Sequence, residues 1–202
     1  MVVTESGGTV HGTLGDYFLS VYRSLVGKKA FVFDIPGVGP HYCPSGFVVF
    51  DLNSQETILN GFSQNGSRVP GPGPNTTSVS NAVTQIIINN AQGLPMAGLK
   101  VTGNNCVIAG VSIIDYEFGG SGINNDAFFT EIGGCHIGVL ENGLTQSSNE
   151  IGIEVGEFGS TKIGSGTYCG HLYHSNRNII SGNTNAQIAV RGGEEQDIKH
   201  NY

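Results

Sequence analysis

Four carboxylates in the second half of the chain could supply acid–base chemistry if the fold brought two of them together: Asp115, Glu117, Asp126 and Glu154. Glu154 alternates with aliphatic residues, so it is predicted to point outward from a strand and could line a groove with one of the others on a neighbouring strand. Two carboxylates ~5 to 9 Å apart are the geometry of glycoside hydrolysis. The alternative is solvated carboxylates on strand faces, which we favour because no arginine lies beside these four in the sequence.

A second group of candidates is a short run with metal-binding side chains, Cys169, His171 and His174. Two histidines three residues apart, together with a cysteine, can bind zinc. This run lies in an insertion between repeated strands, however, and the sequence offers no evident fourth ligand. We therefore predict neither a metal nor another cofactor. The sequence also contains no phosphate-binding loop, dinucleotide fingerprint or nucleophile elbow.

The four cysteines, Cys43, Cys106, Cys135 and Cys169, show no CxxC spacing, so a zinc ribbon is not indicated. Cys106 and Cys135 begin two similar segments and are predicted to occupy equivalent positions on neighbouring strands. Such a pair could form a disulfide or could stack as two small core residues, and we favour the stacked thiols. The sequence leaves the state of all four thiols open.

The elements that must position these residues are short strands that recur in two types. Segments of the first type have an isoleucine followed by small or polar residues, and they are Cys106–Gly110, Cys135–Val139, Asn178–Gly182 and Gln196–His200. Segments of the second type have alternating aliphatic residues, and they are Gly98–Val101, Gly122–Ile123, Gly152–Val155 and Gln187–Val190. The two types alternate along the chain, which is the pattern of a repeat protein.

Alternation within each segment predicts strands with one buried face and one solvated face. Corners rich in Gly and Asn separate the strands, and no helical run lies between them, which excludes a βαβ sheet. The pattern predicts a solenoid in which each strand stacks in parallel on its equivalent one turn away. Ile108, Ile137, Ile180 and Ile198 are then expected in one interior column. A β-sandwich is the alternative fold.

Several asparagines fall at the predicted corners: Asn104, Asn105, Asn178 and Asn183. Asparagine tolerates the left-handed backbone conformation that tight corners require. We therefore interpret these residues as turn formers rather than as ligands, and their side chains could stack into ladders.

We predict a single domain over residues 1–202. Apolar positions recur with helical spacing within 13–29, which predicts a short N-terminal capping α-helix over the open end of the first coil. Residues 30–97 are predicted to form the first coils, with a Pro/Gly-rich loop at 63–80, and residues 98–202 the regular coils. The last coil is incomplete after its first strand, so we expect either a shortened gene product or another subunit that covers this end.

Three stretches carry a family resemblance, namely Phe31–His41, Thr57–Gln64 and Asn178–Asn183. They resemble the right-handed parallel β-helix repeat family, within the pectin-lyase-like superfamily. The resemblance covers roughly residues 13–202 and implies an all-β, right-handed parallel β-helix. It implies little about function, because the superfamily includes lyases, hydrolases, adhesins and viral spikes. The hydrolase signatures of that superfamily (an Asn-Thr-Asp strand, an Asp-Asp pair and an Arg-Ile-Lys) are absent.

Composition narrows the range of partners. A formal net charge of −7 with nine Lys and Arg argues against nucleic acid, whose phosphates require clustered basic residues. No run approaches the ~20 apolar residues of a membrane span. The N-terminus lacks the basic start and apolar segment of a signal peptide, although the resemblance implies an extracellular, cell-surface or virion-surface location.

The function that we predict is a non-catalytic structural or adhesive module of a surface, fibre or virion assembly, which self-associates through its incomplete last coil and could bind a polysaccharide. The alternative is a polysaccharide lyase or glycoside hydrolase that uses Asp115, Glu117, Asp126 and Glu154 as groove acids. The resemblance implies Ca²⁺ as a cofactor in the lyase case, because lyases of the superfamily hold calcium with carboxylates and use a Lys or Arg base.

Overall fold

A computed structural model describes the chain over residues 2–3, 29–45, 49–69, 82–164, 177–193, 195–199 and 201. These residues form seventeen β-strands and one short 3₁₀ helix, Gly61–Ser63. Every neighbouring pair of strands is parallel, and the strands group into three sheets. The prediction of an all-β fold built from parallel strands is therefore confirmed.

Sheet A has seven strands, which in spatial order are β1 (Val2–Val3), β2 (Lys29–Phe33), β5 (Thr57–Asn60), β8 (Val107–Ala109), β11 (Thr130–Gly133), β14 (Thr161–Ile163) and β17 (Asp197–Ile198). Sheet B has five strands, which are β3 (His41–Pro44), β6 (Ile86–Asn89), β9 (Val111–Ile114), β12 (His136–Ile137) and β15 (Ile179–Ile180). Sheet C also has five strands, which are β4 (Phe50–Leu52), β7 (Leu99–Val101), β10 (Ser121–Asn125), β13 (Ile151–Val155) and β16 (Ala186–Val190).

From β2 onward, the strands follow one another in a fixed rotation, from sheet A to sheet B to sheet C and back to sheet A. We call one passage through this rotation a circuit. The corner between β8 and β9 is a single residue, Gly110. Its φ is 69°, and a Cβ atom at this position would lie 2.6 Å from the ring of Phe62. Glycine is required here because any side chain would clash and would strain the backbone.

Aliphatic and aromatic side chains from successive circuits form columns in the interior. The column of sheet A is Phe31, Leu59, Ile108, Ile132 and Ile163. The column of sheet B is Cys43, Ile88, Ile113, Ile137 and Ile180. The column of sheet C is Phe50, Leu99, Ile123, Ile153 and Ile188. Burying one such side chain contributes about 1.5–3 kcal/mol, so the columns supply the main stabilising term.

The predicted single isoleucine column is wrong in its membership. Ile108 and Ile198 belong to sheet A, whereas Ile137 and Ile180 belong to sheet B. The four segments all place isoleucine beside small or polar residues, so the local sequence does not distinguish the two sheets. The true partner of Ile108 is Ile132, 24 residues further along the chain.

The second type of segment is assigned correctly. Leu99, Ile123, Ile153 and Ile188 lie in register on four successive strands of sheet C. Each of these strands alternates between inward and outward side chains over several residues, so the sequence shows which face is buried. The two-residue strands of sheet B are too short to show such an alternation.

A ladder of asparagine side chains runs along the corner between sheets B and C. The Nδ2 group of Asn149 donates to the carbonyl of Ile113 (3.0 Å) and to Oδ1 of Asn183 (2.9 Å). Its Oδ1 accepts a hydrogen bond from the backbone N–H of Tyr116 (3.2 Å). Asn183 repeats the first contact one circuit later by donating to the carbonyl of Ile137 (3.3 Å). The ladder therefore satisfies corner groups that would otherwise be buried without partners.

A matching ladder lies at the corner between sheets A and B. Asn178 donates to the carbonyl of Ile132 (3.1 Å) and to Oδ1 of Asn201 (2.9 Å), and it accepts from the backbone N–H of Cys135 (2.9 Å). Asn201 then donates to the carbonyl of Ile163 (3.0 Å). The predicted stacking of asparagines is thus confirmed for Asn178, and the first ladder confirms it for Asn183.

Asn149→Ala is expected to lower the free energy of unfolding by about 2 kcal/mol, because it removes three side-chain hydrogen bonds and leaves the buried N–H of Tyr116 without its partner. Urea unfolding measures the loss. The matched control is Asn104→Ala, whose Oδ1 accepts only from the N–H of the exposed residue Phe128, where water can replace it. Equal losses in the two variants would contradict a buried ladder.

The remaining predictions about organisation fall partly outside the described residues. Of the capping helix predicted at 13–29, only Lys29 lies within the described residues. Lys29 is the first residue of β2 and not the end of a helix. The Pro/Gly-rich loop at 63–80 is described only as far as Val69, and an antiparallel bridge joins Arg68 to Val83. Four strands have no counterpart among those predicted from the sequence: β3, β9, β11 and β14. Three of them, β3, β11 and β14, contain few aliphatic residues among polar ones. The fourth, β9, follows β8 after a single residue, so the sequence shows no break between them.

Candidate functional site

The outer face of sheet C carries a row of side chains, one from each strand, and the first four of them are polar. In spatial order the row is Asp51, Lys100, Asn124, Glu154 and Ala189, and each member is in register with the next. These side chains point outward because they alternate with the buried column of sheet C. The row therefore places a negative, a positive, a neutral and a negative group on four consecutive strands.

Glu154 is the most engaged of the predicted carboxylates. One of its oxygens pairs with Nε of Arg191 and the other accepts from Nδ2 of Asn124 (3.2 Å). Its side chain is only 18% exposed, whereas that of Arg191 is 60% exposed. The register gives Glu154 two uncharged neighbours, Asn124 and Ala189, rather than a second carboxylate. Both oxygens are held in structural contacts, which suits an ion pair.

The other three candidate acids lie at corners. Asp115 follows β9 with a φ of 71°, and its Oδ1 accepts a hydrogen bond from the hydroxyl of Ser147 (2.5 Å). Glu117 lies in the exposed turn before β10, and Asp126 is exposed directly after β10. Asp126 lies against Gly156, which directly follows β13, so it is diagonal to Glu154. The structure thus brings Asp126 and Glu154 to one face and leaves Asp115 and Glu117 at the opposite end of the strands.

Exposed phenylalanines flank this face at both ends of β10, and sequence reasoning missed them. Phe118 precedes the strand and is 65% exposed, while Phe128 and Phe129 follow it. The rings of Phe128 and Phe129 are 6.3 Å apart. Phe129 has a φ of 59°, a conformation that is unusual for a bulky residue. The available signal was the tripeptide Glu-Phe-Gly, which occurs at both 117–119 and 157–159 and exposes Phe118 and Phe158.

The described cysteines do not form a reactive or bridged site. Cys43, Cys106 and Cys135 are buried free thiols. The predicted equivalence of Cys106 and Cys135 is wrong, because Cys106 precedes a strand of sheet A and Cys135 precedes a strand of sheet B. Burial raises the pKa of Cys43 to about 12 and that of Cys135 to about 11. Neither thiol is poised to act as a nucleophile, since the thiolate is the reactive form.

Metal-binding side chains are not clustered in the described part of the chain. No group of three His, Cys, Asp or Glu residues there could hold a metal ion. The predicted run Cys169, His171 and His174 lies outside the described residues.

His136 is a buried ionisable residue that the sequence did not single out. It lies in β12 beneath a hairpin that is closed by an antiparallel bridge between Val139 and Gln146. Its Nδ1 is 3.3 Å from the carbonyl oxygen of Leu140, and its buried Nε2 has no hydrogen-bond partner among the described residues. Burial lowers the pKa of His136 to about 4. The neutral imidazole, with Nδ1–H donating to Leu140, is therefore the form that fits the site.

Comparisons with family models, with curated proteins and with solved structures found no match. Within the part of the chain that the structure describes, no helix is long and apolar enough to cross a membrane.

Proposed function

We propose that the chain is a non-catalytic structural or adhesive module of a surface, fibre or virion assembly, folded as a right-handed parallel β-helix. The rotation of the chain through three parallel sheets supports the β-helix. Right-handedness rests on a general rule, since about 98% of crossovers between parallel strands of one sheet are right-handed. An extracellular or virion-surface location is part of this proposal.

The main observation in favour of a structural role is that polar side chains at the corners form hydrogen bonds between successive circuits. Asn149 and Asn183 close one corner, and Asn178 and Asn201 close another. A third polar seam lies where sheet C meets sheet A, where Asn125 donates to Thr161 (2.6 Å) and accepts from Thr130 (2.8 Å). Polar side chains that satisfy one another in this way rigidify a fold.

The candidate acids support the same interpretation. Glu154 is paired with Arg191 and Asn124, and Asp115 is bonded to Ser147. A glycosidase places two free carboxylates on either side of the bond that it cleaves. Here the two acids on one face are a paired glutamate and a solvated aspartate, Asp126, which suits a surface that makes contacts.

The proposal is tested by incubating the protein with polygalacturonate and with alginate, with and without Ca²⁺, while following the absorbance of unsaturated products and the release of reducing ends. We expect no turnover under any of these conditions. Sustained turnover that Glu154→Gln abolishes would replace the structural role with catalysis, because a scaffold cannot turn over substrate. Asp51→Asn, on the same outer row, is the matched control variant.

A further inference from the structure

We infer that the outer face of sheet C is a docking surface for a second copy of the chain, related by a two-fold axis that runs along β10. This inference rests on the structural role proposed above and adds the partner and the face that it uses. It begins from the position of β10, which is the third of the five strands in sheet C and has two strands on either side.

Charge complementarity is the first argument. From β4 to β16 the outer row places Asp51, Lys100, Asn124 and Glu154 on successive strands, and Arg191 follows at the end of β16. The signs are therefore negative, positive, neutral, negative and positive. A two-fold axis along β10 reverses this order in the partner, so the charges of this row face charges of opposite sign. Lys100 meets Glu154 of the second copy, and Asn124 meets its own equivalent. Asp51 meets the end of β16, where Arg191 lies two residues beyond the in-register Ala189 and is paired with Glu154 of its own chain.

The opposite orientation fails on the same grounds. If the two copies stacked with their sheets in the same order, Lys100 would face Lys100 and Glu154 would face Glu154. Like charges placed opposite one another across an interface cost several kcal/mol. Lys100 makes no ion pair among the described residues, so across the axis it can join the ion pair that Glu154 already forms with Arg191. The charges on this face therefore favour the arrangement in which the strands of sheet C follow one another in opposite order in the two copies.

The exposed aromatic residues lie where this axis requires them. Phe118 precedes β10, and Phe128 and Phe129 follow it, so each of the three meets its own equivalent across the axis. Phe129 and Phe118 are 57% and 65% exposed. Aromatic side chains bury a large apolar area when they pack across an interface, and solvated phenylalanines at both ends of a single strand have no such role in an isolated chain.

The size of the face predicts a weak dimer. Five strands spaced ~4.8 Å apart, two of them three residues long and three of them five, give a face of roughly 19 Å by 10–17 Å, or about 190–320 Å² per copy. The phenylalanines bring the buried total toward the roughly 1,000 Å² at which specific interfaces begin. We therefore expect a dissociation constant in the micromolar range, which rises with ionic strength because charged pairs contribute.

One charge opposes the association. Asp126 lies two residues beyond Asn124 on the same side of β10, so it faces its own equivalent across the axis. The like charges weaken the dimer, and Asp126→Asn is expected to tighten it by about threefold to tenfold. Tighter association of Asp126→Asn is expected when this carboxylate faces a like charge, as a two-fold axis at β10 requires.

The decisive experiment exchanges charges between Lys100 and Glu154. Sedimentation velocity of the full chain at about 100 μM should show dimer for the wild-type protein. Lys100→Glu and Glu154→Lys should each weaken the homodimer by at least about 100-fold, because each variant places like charges opposite one another. Mixing the two variants in equal amounts should restore a heterodimer. In it, the glutamate introduced by Lys100→Glu faces the lysine introduced by Glu154→Lys. The unaltered Glu154 of the first variant also faces the unaltered Lys100 of the second.

Thermal unfolding of each variant checks that it is folded, and Lys162→Glu, on sheet A, is the control for a charge reversal on another face. A monomeric wild-type chain, or folded variants that do not combine, would overturn the inference and leave the structural role standing. Turnover of uronate polymers would instead reject the structural role. A monomer that binds polygalacturonate through Lys100 would assign the face to a glycan and also overturn the dimer.

Discussion

Gly152→Ala is expected to lower the free energy of unfolding by about 3 kcal/mol, which corresponds to a fall in Tm of about 6–12 °C. A Cβ atom at Gly152 would lie 2.7 Å from Nδ2 of Asn183 and 2.9 Å from Cγ2 of Ile180, and it would also overlap the carbonyl oxygen of Gln187 on the next strand. These atoms belong to a corner, to a buried side chain of β15 and to the backbone of β16, so they have no freedom to withdraw. Calorimetry or urea unfolding measures the effect.

Gly152 belongs to a column of glycines at the start of successive strands of sheet C. At Gly122 a Cβ atom would lie 2.8 Å from the carbonyl oxygen of Gly152, and at Gly98 it would lie 2.6 Å from that of Gly122. The glycines let neighbouring circuits approach until their strands hydrogen-bond. The control is Gly192→Ala at an exposed corner, where the closest atom would be 3.1 Å away and a loss below about 1 kcal/mol is expected. Equal losses at the two positions would show that the column is not tightly packed.

His136→Phe is expected to remove most of the loss of stability that the wild-type protein shows as the pH falls from about 7 to 4. The pKa of His136 is about 4 in the folded chain because burial disfavours its charged form, whereas an unfolded histidine titrates near 6.5. Between these two values the unfolded chain binds more protons than the folded chain, so lowering the pH favours unfolding. The window from about pH 6.5 to 4 is worth about 3 kcal/mol.

Phenylalanine fills the site of His136 without a titratable group. It gives up the contact of Nδ1 with Leu140, but the carbonyl of Leu140 still accepts from the N–H of Gly143 (2.9 Å). The two proteins should therefore have similar stability at pH 7.5, and the variant should be more stable by about 2–3 kcal/mol at pH 4. Proton NMR of the His136 ring reports its pKa directly. Titration near 6.5 in the folded state, or parallel pH profiles for the two proteins, would contradict this account.

The parts of the fold that could be predicted from the sequence are those in which one strand carries several alternating side chains. Ile151–Val155 places three aliphatic residues on one face, so its inward side and its repeat partners are readable. The two-residue strands Ile179–Ile180 and Asp197–Ile198 carry no such pattern, and the sequence assigns them to one type although they belong to different sheets. Three strands in each circuit, rather than two, follow only from the hydrogen-bond register.

The same limit applies to the outer face of sheet C. Alternation alone places Glu154 outside, but its partner Arg191 is 37 residues away and joins it only through the stacking of circuits. Phe129 adopts a left-handed conformation that local preference disfavours, in a position where the circuit before it has Asn105. Tertiary stacking determines that conformation, so no interpretation of the local sequence could have placed an exposed aromatic pair there.

Strands β2 to β17 advance through the sheets in the same order, and each one bonds only to its counterparts immediately before and after it. The length of such a molecule can change in whole steps of about 4.8 Å, by gain or loss of one complete passage, without disturbing the rest. A residue inserted within a strand would instead exchange the inner and outer faces of everything up to the next corner. Genetic change in this architecture is therefore tolerated at the bends and in units of one full winding.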